Sequence, residues 1–363
     1  MTITEMGARA KEAARVLATA GALKEAALLH AAHALWSRRE EILAANAQDL
    51  EAGKGAGLSQ ALLDRLALTE GRIQDMKTAV EEVAKAADPV GRALSGETRP
   101  NGLRIEKVAV PLGVIGIIYE ARPNVTSDAA ALCLKAGNAV ILRGGKEAIR
   151  SNKAVAGVLR DALEEAGLPA DCVQLVEDTS RQSAQELMGL TQYLDVLIPR
   201  GGAGLIRSVK ENARVPVIET GVGNCHVYVD ASADLDMAAE IIYNAKCSRP
   251  SVCNAIETIL VHQDAAKAAL PKIKARLDEK QVELRGCDRA RAILPGITPA
   301  VEEDWATEYL DYILAVKVVG SLEEALGHIA RYSTGHSECI VTQDYTAAQR
   351  FLNEVDAAAV YVN

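Results

Sequence analysis

The pattern of apolar and polar positions changes character twice along the chain. Residues 3–87 are runs of Ala, Leu, Glu, Lys and Arg, punctuated by Gly21, Gly53 and Gly57 and closed by Asp88-Pro89-Val90-Gly91. This predicts helix after helix, the last opening at Thr69 and Glu70, and a packing layer rather than a site. Asn101-Gly102 is a hairpin signal, and residues 103–110 then alternate apolar and polar, which suits a half-exposed strand. Such an edge needs cover, and pairing with another subunit is expected. From Gly113 strand and helix alternate, with strands at 114–119, 139–142, 173–176 and 194–198. Helices are expected at 126–136, 151–166 and 181–188, with a further one starting at Leu205. A second series follows Asn224, with strands at 225–229, 256–261, 313–319, 339–342 and 358–362 and helices near 235–245, 264–277, 322–332 and 347–353.

Strands alternating with helices imply a parallel sheet covered on both faces, which takes ligands at the carboxyl ends of its strands. Two such ends carry Arg-Gly-Gly, in Arg143-Gly144-Gly145-Lys146 and Arg200-Gly201-Gly202. Glycine lets main chain approach a phosphate, and the helix N-terminus that follows adds partial positive charge, so the repetition favours a nucleotide cofactor. Neither the Rossmann fingerprint nor a Walker loop is present, so the cofactor is expected to bind in a less usual way.

The second series contains Lys246-Cys247-Ser248-Arg249-Pro250-Ser251-Val252-Cys253-Asn254-Ala255. Pro250 disfavours helix at Arg249, which places Cys253 on a short turn between a helix end and a strand start. Loops held by rigid elements are where reactive side chains are usually found. Thiolate is the attacking form, and Lys246, Arg249 and the main-chain N–H groups of the turn are candidates for favouring it. The plainer alternative for any free cysteine is a small buried hydrophobe. A cleft between the two series is expected to hold the chemistry. His30 and His33, three apart on a helix, have no carboxylate or cysteine partner in view and read as surface or core residues.

The length of 363 residues leaves room for two domains or for one large α/β unit with an insertion. Aromatic residues make up only 3%, so Ala, Leu, Val and Ile must build the core. A net charge of −9 argues against a nucleic-acid or anionic-membrane surface and leaves an anionic small-molecule substrate open. Seven cysteines without CxxC pairs or close Cys/His spacing suggest neither a metal site nor a disulfide framework, and fit a reducing, cytoplasmic setting. No early apolar run resembles a signal peptide, and no stretch of about 18 apolar residues could span a membrane.

Four motifs complete the reading. They are Val110-Pro111-Leu112-Gly113-Val114-Ile115-Gly116, Tyr119-Glu120-Ala121-Arg122-Pro123-Asn124-Val125-Thr126, Arg249-Pro250-Ser251-Val252-Cys253-Asn254, and the run over 319–340, VGSLEEALGHIARYSTGHSECI, with His328, His336 and Ser337. By these the chain resembles the aldehyde dehydrogenase superfamily over essentially its whole length, and within it the branch that reduces L-glutamyl 5-phosphate. The resemblance implies an aldehyde-dehydrogenase-like α/β fold. A parallel-sheet cofactor domain would span 1–95 and 112–224, a β-hairpin oligomerisation arm 96–111, an α/β catalytic domain 225–355 and a return segment 356–363. Members of the family continue for several dozen residues past the position of Asn363, in a segment that completes the cleft and supplies a strand to oligomer contacts.

Carried over position by position, the nucleophile falls on Cys253 and not Cys247, and Cys133, Cys172, Cys225, Cys247, Cys287 and Cys339 remain packing residues. Asn124 matches the side-chain donor of the oxyanion hole, beside the Cys253 main-chain N–H, and a helix N-cap is its other reading. Arg143, Lys146, Gly201 and Gly202 match the cofactor-binding turns. A cation at position 146 suits the 2′-phosphate of NADPH. Glu308 matches the carboxylate that holds the nicotinamide ribose, against a plain surface Glu. Glu219 matches the water-activating residue of hydrolytic members, a role that an acyl-phosphate reductase does not need. Arg122, Arg249 and His336 are candidates for the anionic groups of the substrate.

The implied cycle forms a thioacyl enzyme on Cys253 with loss of phosphate, and reduces it with NADPH to L-glutamate 5-semialdehyde, a step of proline biosynthesis. A homo-oligomer is implied, and a glutamate kinase is a candidate partner because the acyl phosphate is labile. Three other readings stand beside this one: a hydrolytic aldehyde dehydrogenase, a cysteine hydrolase or acyltransferase without a redox cofactor, and a non-catalytic assembly subunit.

Overall fold

The computed structural model describes residues 1–219 and 221–363, with Ala61 and Ala203 by their backbone only. Contacts divide the chain into two units, Met1–Thr220 and Gly221–Asn363.

The first unit opens with five helices, α1 (Ile3–Leu17), α2 (Leu23–Ser37), α3 (Arg39–Gly55), α4 (Gln60–Leu66) and α5 (Glu70–Lys85). Thr2, Ser59 and Thr69 cap α1, α4 and α5 by accepting a backbone N–H, as hydroxyl side chains do at these ends. Strands β1 (Ala93–Thr98) and β2 (Arg104–Val108) form an antiparallel hairpin whose turn carries Gly102 at φ +83°. The alternation over 103–110 predicts one buried face. Instead every residue of both strands is exposed, because none of the described residues covers either side of this two-stranded ribbon.

A βα series follows: β3 (Val114–Tyr119), α6 (Asn124–Lys135), β4 (Ala139–Arg143), α7 (Ile149–Glu165), β5 (Val173–Leu175), α8 (Arg181–Met188), β6 (Val196–Arg200) and α9 (Ala203–Asn212). Its four strands pair in parallel in the order β5-β4-β3-β6. Central β3 is buried at all six positions, as a strand covered on both faces must be. Ile115, Ile117 and Tyr119 join a core with α2, α5, α6 and α7, whereas Val114 and Ile118 turn to the opposite side with α1 and α8. The strand period of two thus divides one apolar run between two cores.

The second unit holds β7 (Cys225–Val229), α10 (Leu235–Cys247), β8 (Ile256–His262), α11 (Gln263–Asp278), β9 (Glu283–Gly286), α12 (Asp288–Ile293), β10 (Thr298–Pro299), β11 (Ile313–Val319), α13 (Leu322–Tyr332), β12 (Ser337–Val341), α14 (Tyr345–Glu354) and β13 (Ala359–Val362). The seven strands are parallel in the order β10-β9-β11-β8-β7-β12-β13. Strands with continuous β-branched runs lie where sequence reading places them, within two residues at each end. The sequence pattern predicts none of β9, α12 and β10, because elements of four, six and two residues carry no readable period. Among the described residues, no helix is long and apolar enough to cross a membrane, and no group of three or more His, Cys, Asp or Glu is placed to hold a metal ion.

Candidate active site

Helix α10 ends at Cys247, two residues before the Arg249-Pro250 bond, and β8 starts at Ile256. Residues 248–255 form the loop between them, tightened by a hydrogen bond from Ala255 N to Val252 O of 3.1 Å. Cys253 sits on this loop half-buried, while Cys247 is buried in the helix end, where burial raises its thiol above the ordinary range. Burial likewise pushes Cys133 up to about 12, as expected for cysteines that pack and do not react.

Main chain holds the loop in place. A Cβ on Gly223 would lie 1.5 Å from the carbonyl oxygen of Cys253, so only glycine allows the two backbones to approach this closely. Gly223 N donates to Glu308 Oε1 at 2.8 Å, and Cys225 Sγ donates to Cys253 O at 3.3 Å. Between these residues Asn224 is fully buried, its Nδ2 donating to Trp305 O and Tyr332 O at 2.8 Å each. Glu308 is therefore a half-buried, bonded residue and not a solvated surface one.

Lys246 departs from expectation. It is wholly buried and paired with the equally buried Glu257 at 2.7 Å, so its ammonium serves that carboxylate and not the thiol. Burial drives the Lys246 ammonium down and the Glu257 carboxyl up, and each charge opposes the other's shift. Glu257 Oε1 also accepts from Leu310 N at 3.2 Å, at a residue held at φ +56°. Arg249 is exposed and makes no hydrogen bond or ion pair among the described residues. His336 is half-buried on the loop between α13 and β12.

The motif over 319–340 builds a polar cluster that sequence reading did not foresee. Glu338 Oε2 accepts from His226 N at 2.9 Å and lies 3.1 Å from His226 Nδ1, and Ser333 Oγ donates to Glu338 Oε1 at 2.5 Å. His328 is packed against the rings of Trp305, Tyr332 and His226, with Lys317 Nζ 3.1 Å from its Nδ1. Burial first, and then the Lys317 charge, lower the His328 imidazole to about 3, so it is neutral. This cluster anchors residues 224 to 226, the segment that carries the contact to Cys253. The only sequence signal for it was the motif itself.

In the first unit, Asn124 is the first residue of α6 and Pro123 stands at the N-cap with no side-chain bond, which overturns the N-cap reading. The Asn124 Nδ2 instead donates to Asp128 Oδ2 at 2.9 Å. Burial raises the Asp128 carboxyl, opposed by hydrogen bonds from Asn124 and Ser127. Arg122, half-buried, directly precedes Pro123.

Arg143 ends β4, and its Nη2 donates to Thr179 O and Ser180 O at 2.8 and 2.9 Å, so the guanidinium braces the loop before α8. Lys146 follows on a 3₁₀ turn, exposed and without a hydrogen bond or ion pair among the described residues. Gly202 is the N-cap of α9, and its N–H donates to Glu120 Oε2 at 2.9 Å. A Cβ on Gly201 would lie 2.7 Å from the same carboxyl group, so the turn accepts an oxyanion against bare backbone. A phosphate fits such a turn on the same physical grounds. Glu219 Oε1 is bonded to Lys210 Nζ at 2.6 Å. His30, read as lacking a carboxylate, meets Glu165 at 2.7 Å from a helix 135 positions further on.

A held, half-buried thiol suits acyl transfer, and glycine turns with an exposed lysine suit a phosphorylated cofactor. The aldehyde dehydrogenase family profile matches residues 2–303. The chain is 62% identical over 364 residues to the gamma-glutamyl phosphate reductase of Moorella thermoacetica, covering 100% of this chain and 87% of that protein. It is 60% identical to the protein of the same name from Heliobacterium modesticaldum, over 98% of this chain and 86% of the relative. The crystal structure of gamma-glutamyl phosphate reductase from Thermotoga maritima superposes with a TM-score of 0.94 at 50% identity, over 99% of this chain and 87% of that one.

Proposed function

Because the chain belongs to the aldehyde dehydrogenase family, and within it to the gamma-glutamyl phosphate reductases, we propose that it reduces L-glutamyl 5-phosphate to L-glutamate 5-semialdehyde, with NADPH as reductant and release of phosphate. Identity of 62% along the whole chain to a protein of that name carries the reading, and the placement of Cys253 supports it. In this reading the Cys253 thiolate attacks the acyl carbon, a C–S bond forms, and the C–O bond to phosphate breaks with its electron pair leaving on phosphate. Asn124 donates to the carbonyl oxygen as negative charge develops there. NADPH, when bound, supplies the hydride that turns the thioacyl group into the aldehyde. Cys253 then leaves as thiolate and is ready for the next turnover.

Lys146, Gly201 and Gly202 would hold the cofactor phosphates, and Glu308 the nicotinamide ribose. Arg143, already bonded to two carbonyls, would act by shaping the turn. Arg122, Arg249 and His336 are assigned to the anionic groups of the substrate, Arg249 most readily because it is exposed and unpaired among the described residues. The exposed β1–β2 hairpin is assigned to contacts between subunits of a homo-oligomer. The step belongs to proline biosynthesis in the cytoplasm, with a glutamate kinase as source of the labile substrate.

The test runs the reaction backwards. Oxidation of the semialdehyde with NADP should rise from near zero with added inorganic phosphate and saturate. Cys253→Ala should abolish it, and Arg249→Ala should raise the phosphate requirement. Glu219→Gln should lower the rate only modestly, since its carboxylate is engaged by Lys210. Full oxidation in phosphate-free buffer, lost in Glu219→Gln, would leave a hydrolytic aldehyde dehydrogenase in place of this reading.

A further inference from the structure

A primary amide used as an oxyanion donor has a weakness that its shape hides. Its oxygen and nitrogen ends are nearly the same size, so turning the group over costs little in packing. One orientation presents N–H to a developing oxyanion, and the other presents a carbonyl oxygen, which repels it. Something must therefore choose between them.

In α6 that choice is made one helical turn along. Asn124 and Asp128 are four residues apart, so their side chains meet on one face of the helix. Asn124 Nδ2 donates to Asp128 Oδ2 at 2.9 Å. An ionised carboxylate only accepts, so the end of the amide that faces it must be the nitrogen. An NH₂ group has two hydrogens, one of which is committed to Asp128. The other makes no hydrogen bond among the described residues. Around the pair, Ser127 Oγ donates to Asn124 O at 2.9 Å and approaches Asp128 Oδ1 at 3.4 Å, which ties the carboxylate to the same turn. A charged acceptor also polarises the amide and strengthens its second N–H as a donor.

We propose that Asp128 is a positioning residue that fixes the orientation of the Asn124 amide, so that its free N–H and not its carbonyl oxygen is offered to the reacting substrate. The proposal rests on the reading of Asn124 as the carbonyl-oxygen donor. Without Asp128 the amide populates both orientations, and the reaction proceeds through only part of the enzyme. The defect falls on turnover, because charge on the oxygen develops only in the transition state.

The test measures NADP-linked, phosphate-dependent oxidation of L-glutamate 5-semialdehyde by the full chain carrying Asn124→Ala, Asp128→Leu, Asp128→Asn, or the first two together. Asp128→Leu should lower kcat about 2- to 10-fold, because about half of the amides are then turned the wrong way and the rest lose the charged acceptor that polarises the second N–H, a smaller loss than from removing an oxyanion donor outright, with KM for the semialdehyde, NADP and phosphate nearly unchanged. Asp128→Asn keeps an acceptor oxygen in the same place and should restore most of kcat, which a requirement for the negative charge would not predict. The double variant should be no slower than Asn124→Ala, since a misaligned amide cannot matter once the amide is gone. Should Asp128→Leu yield no folded protein, Asp128→Ala removes the same acceptor with less added bulk and is judged by the same criteria. A wild-type kcat in the leucine or alanine variant, or a loss that multiplies with that of Asn124→Ala, overturns the proposal while leaving the oxyanion reading intact. A wild-type kcat in Asn124→Ala sinks that reading and the proposal with it.

Discussion

Arg143 and Lys146 stand three residues apart at one strand end, and their charges serve different purposes. Arg143 is tied to the carbonyls of Thr179 and Ser180, and burial lowers its guanidinium, so it belongs to the scaffold of the turn. Lys146 is exposed and unpaired among the described residues, which leaves its ammonium for a ligand. Lys146→Glu should therefore weaken NADPH about 10- to 30-fold at low salt, by exchanging an exposed ion pair for a repulsion of similar size. NADH should shift by no more than about 2-fold. Titrating each nucleotide against the variant checks this, and equal losses would assign Lys146 to the fold. Along the sequence the two cations look alike, since nothing local separates a buttress from a free charge. The same holds for Lys246: its neighbour along the chain is Cys247, but its partner is Glu257, eleven positions on.

At the scale of elements, the loop from α10 to β8 is positioned by a second segment. Gly223 lies against the Cys253 carbonyl with no room for a methyl group. Gly223→Ala should thus push Cys253, the proposed nucleophile, away from its place, and a displacement of about 1 Å is enough to cost about 10²-fold in rate. Gly221 is the control, because a Cβ there would meet nothing within 4 Å. Gly221→Ala should keep kcat within about 2-fold, whereas Gly223→Ala should lose kcat with its near-UV circular dichroism preserved. Comparable kcat in the two would show that the loop adapts. The loop itself was legible, since proline stops a helix by a local clash that any reader of Arg249-Pro250 can apply. Its abutment on Gly223 was not, because a close approach leaves no mark on a glycine that also occurs in ordinary turns.

For the molecule as a whole, acid should act through the second unit. His328 is neutral and buried, with an imidazole lowered to about 3 against about 6.5 in an unfolded chain. Between those values the unfolded chain binds a proton that the folded chain does not. Stability is therefore present above about pH 6.5 and is lost as the pH falls toward 3, by about 2 kcal/mol between pH 7 and pH 5 from this residue. His328→Gln should be less stable at pH 7, through lost ring packing, and should show a pH dependence flatter by about that amount. Urea unfolding at the two pH values measures both, and parallel changes in the two proteins would remove His328 as the origin.

The order of the longer elements, the parallel character of both sheets, the two glycine turns and the loop that carries Cys253 are legible along the chain. Each of these rests on rules acting over a few residues: the period of apolar positions, the φ restriction of proline and the missing Cβ of glycine. The tertiary structure alone decided which side chains meet. Glu308 reaches Gly223 across 85 positions, Asn224 meets the Tyr332 carbonyl across 108, and Glu338 meets His226 across 112. The last pair are neighbours because β12 and β7 lie side by side in a register that sets Glu338 opposite His226. A parallel register is chosen by burial of both strands against helices from the whole unit. It follows that the loop of Cys253 could be placed by reading along the chain, while the residues that hold it could be found only across the sheet.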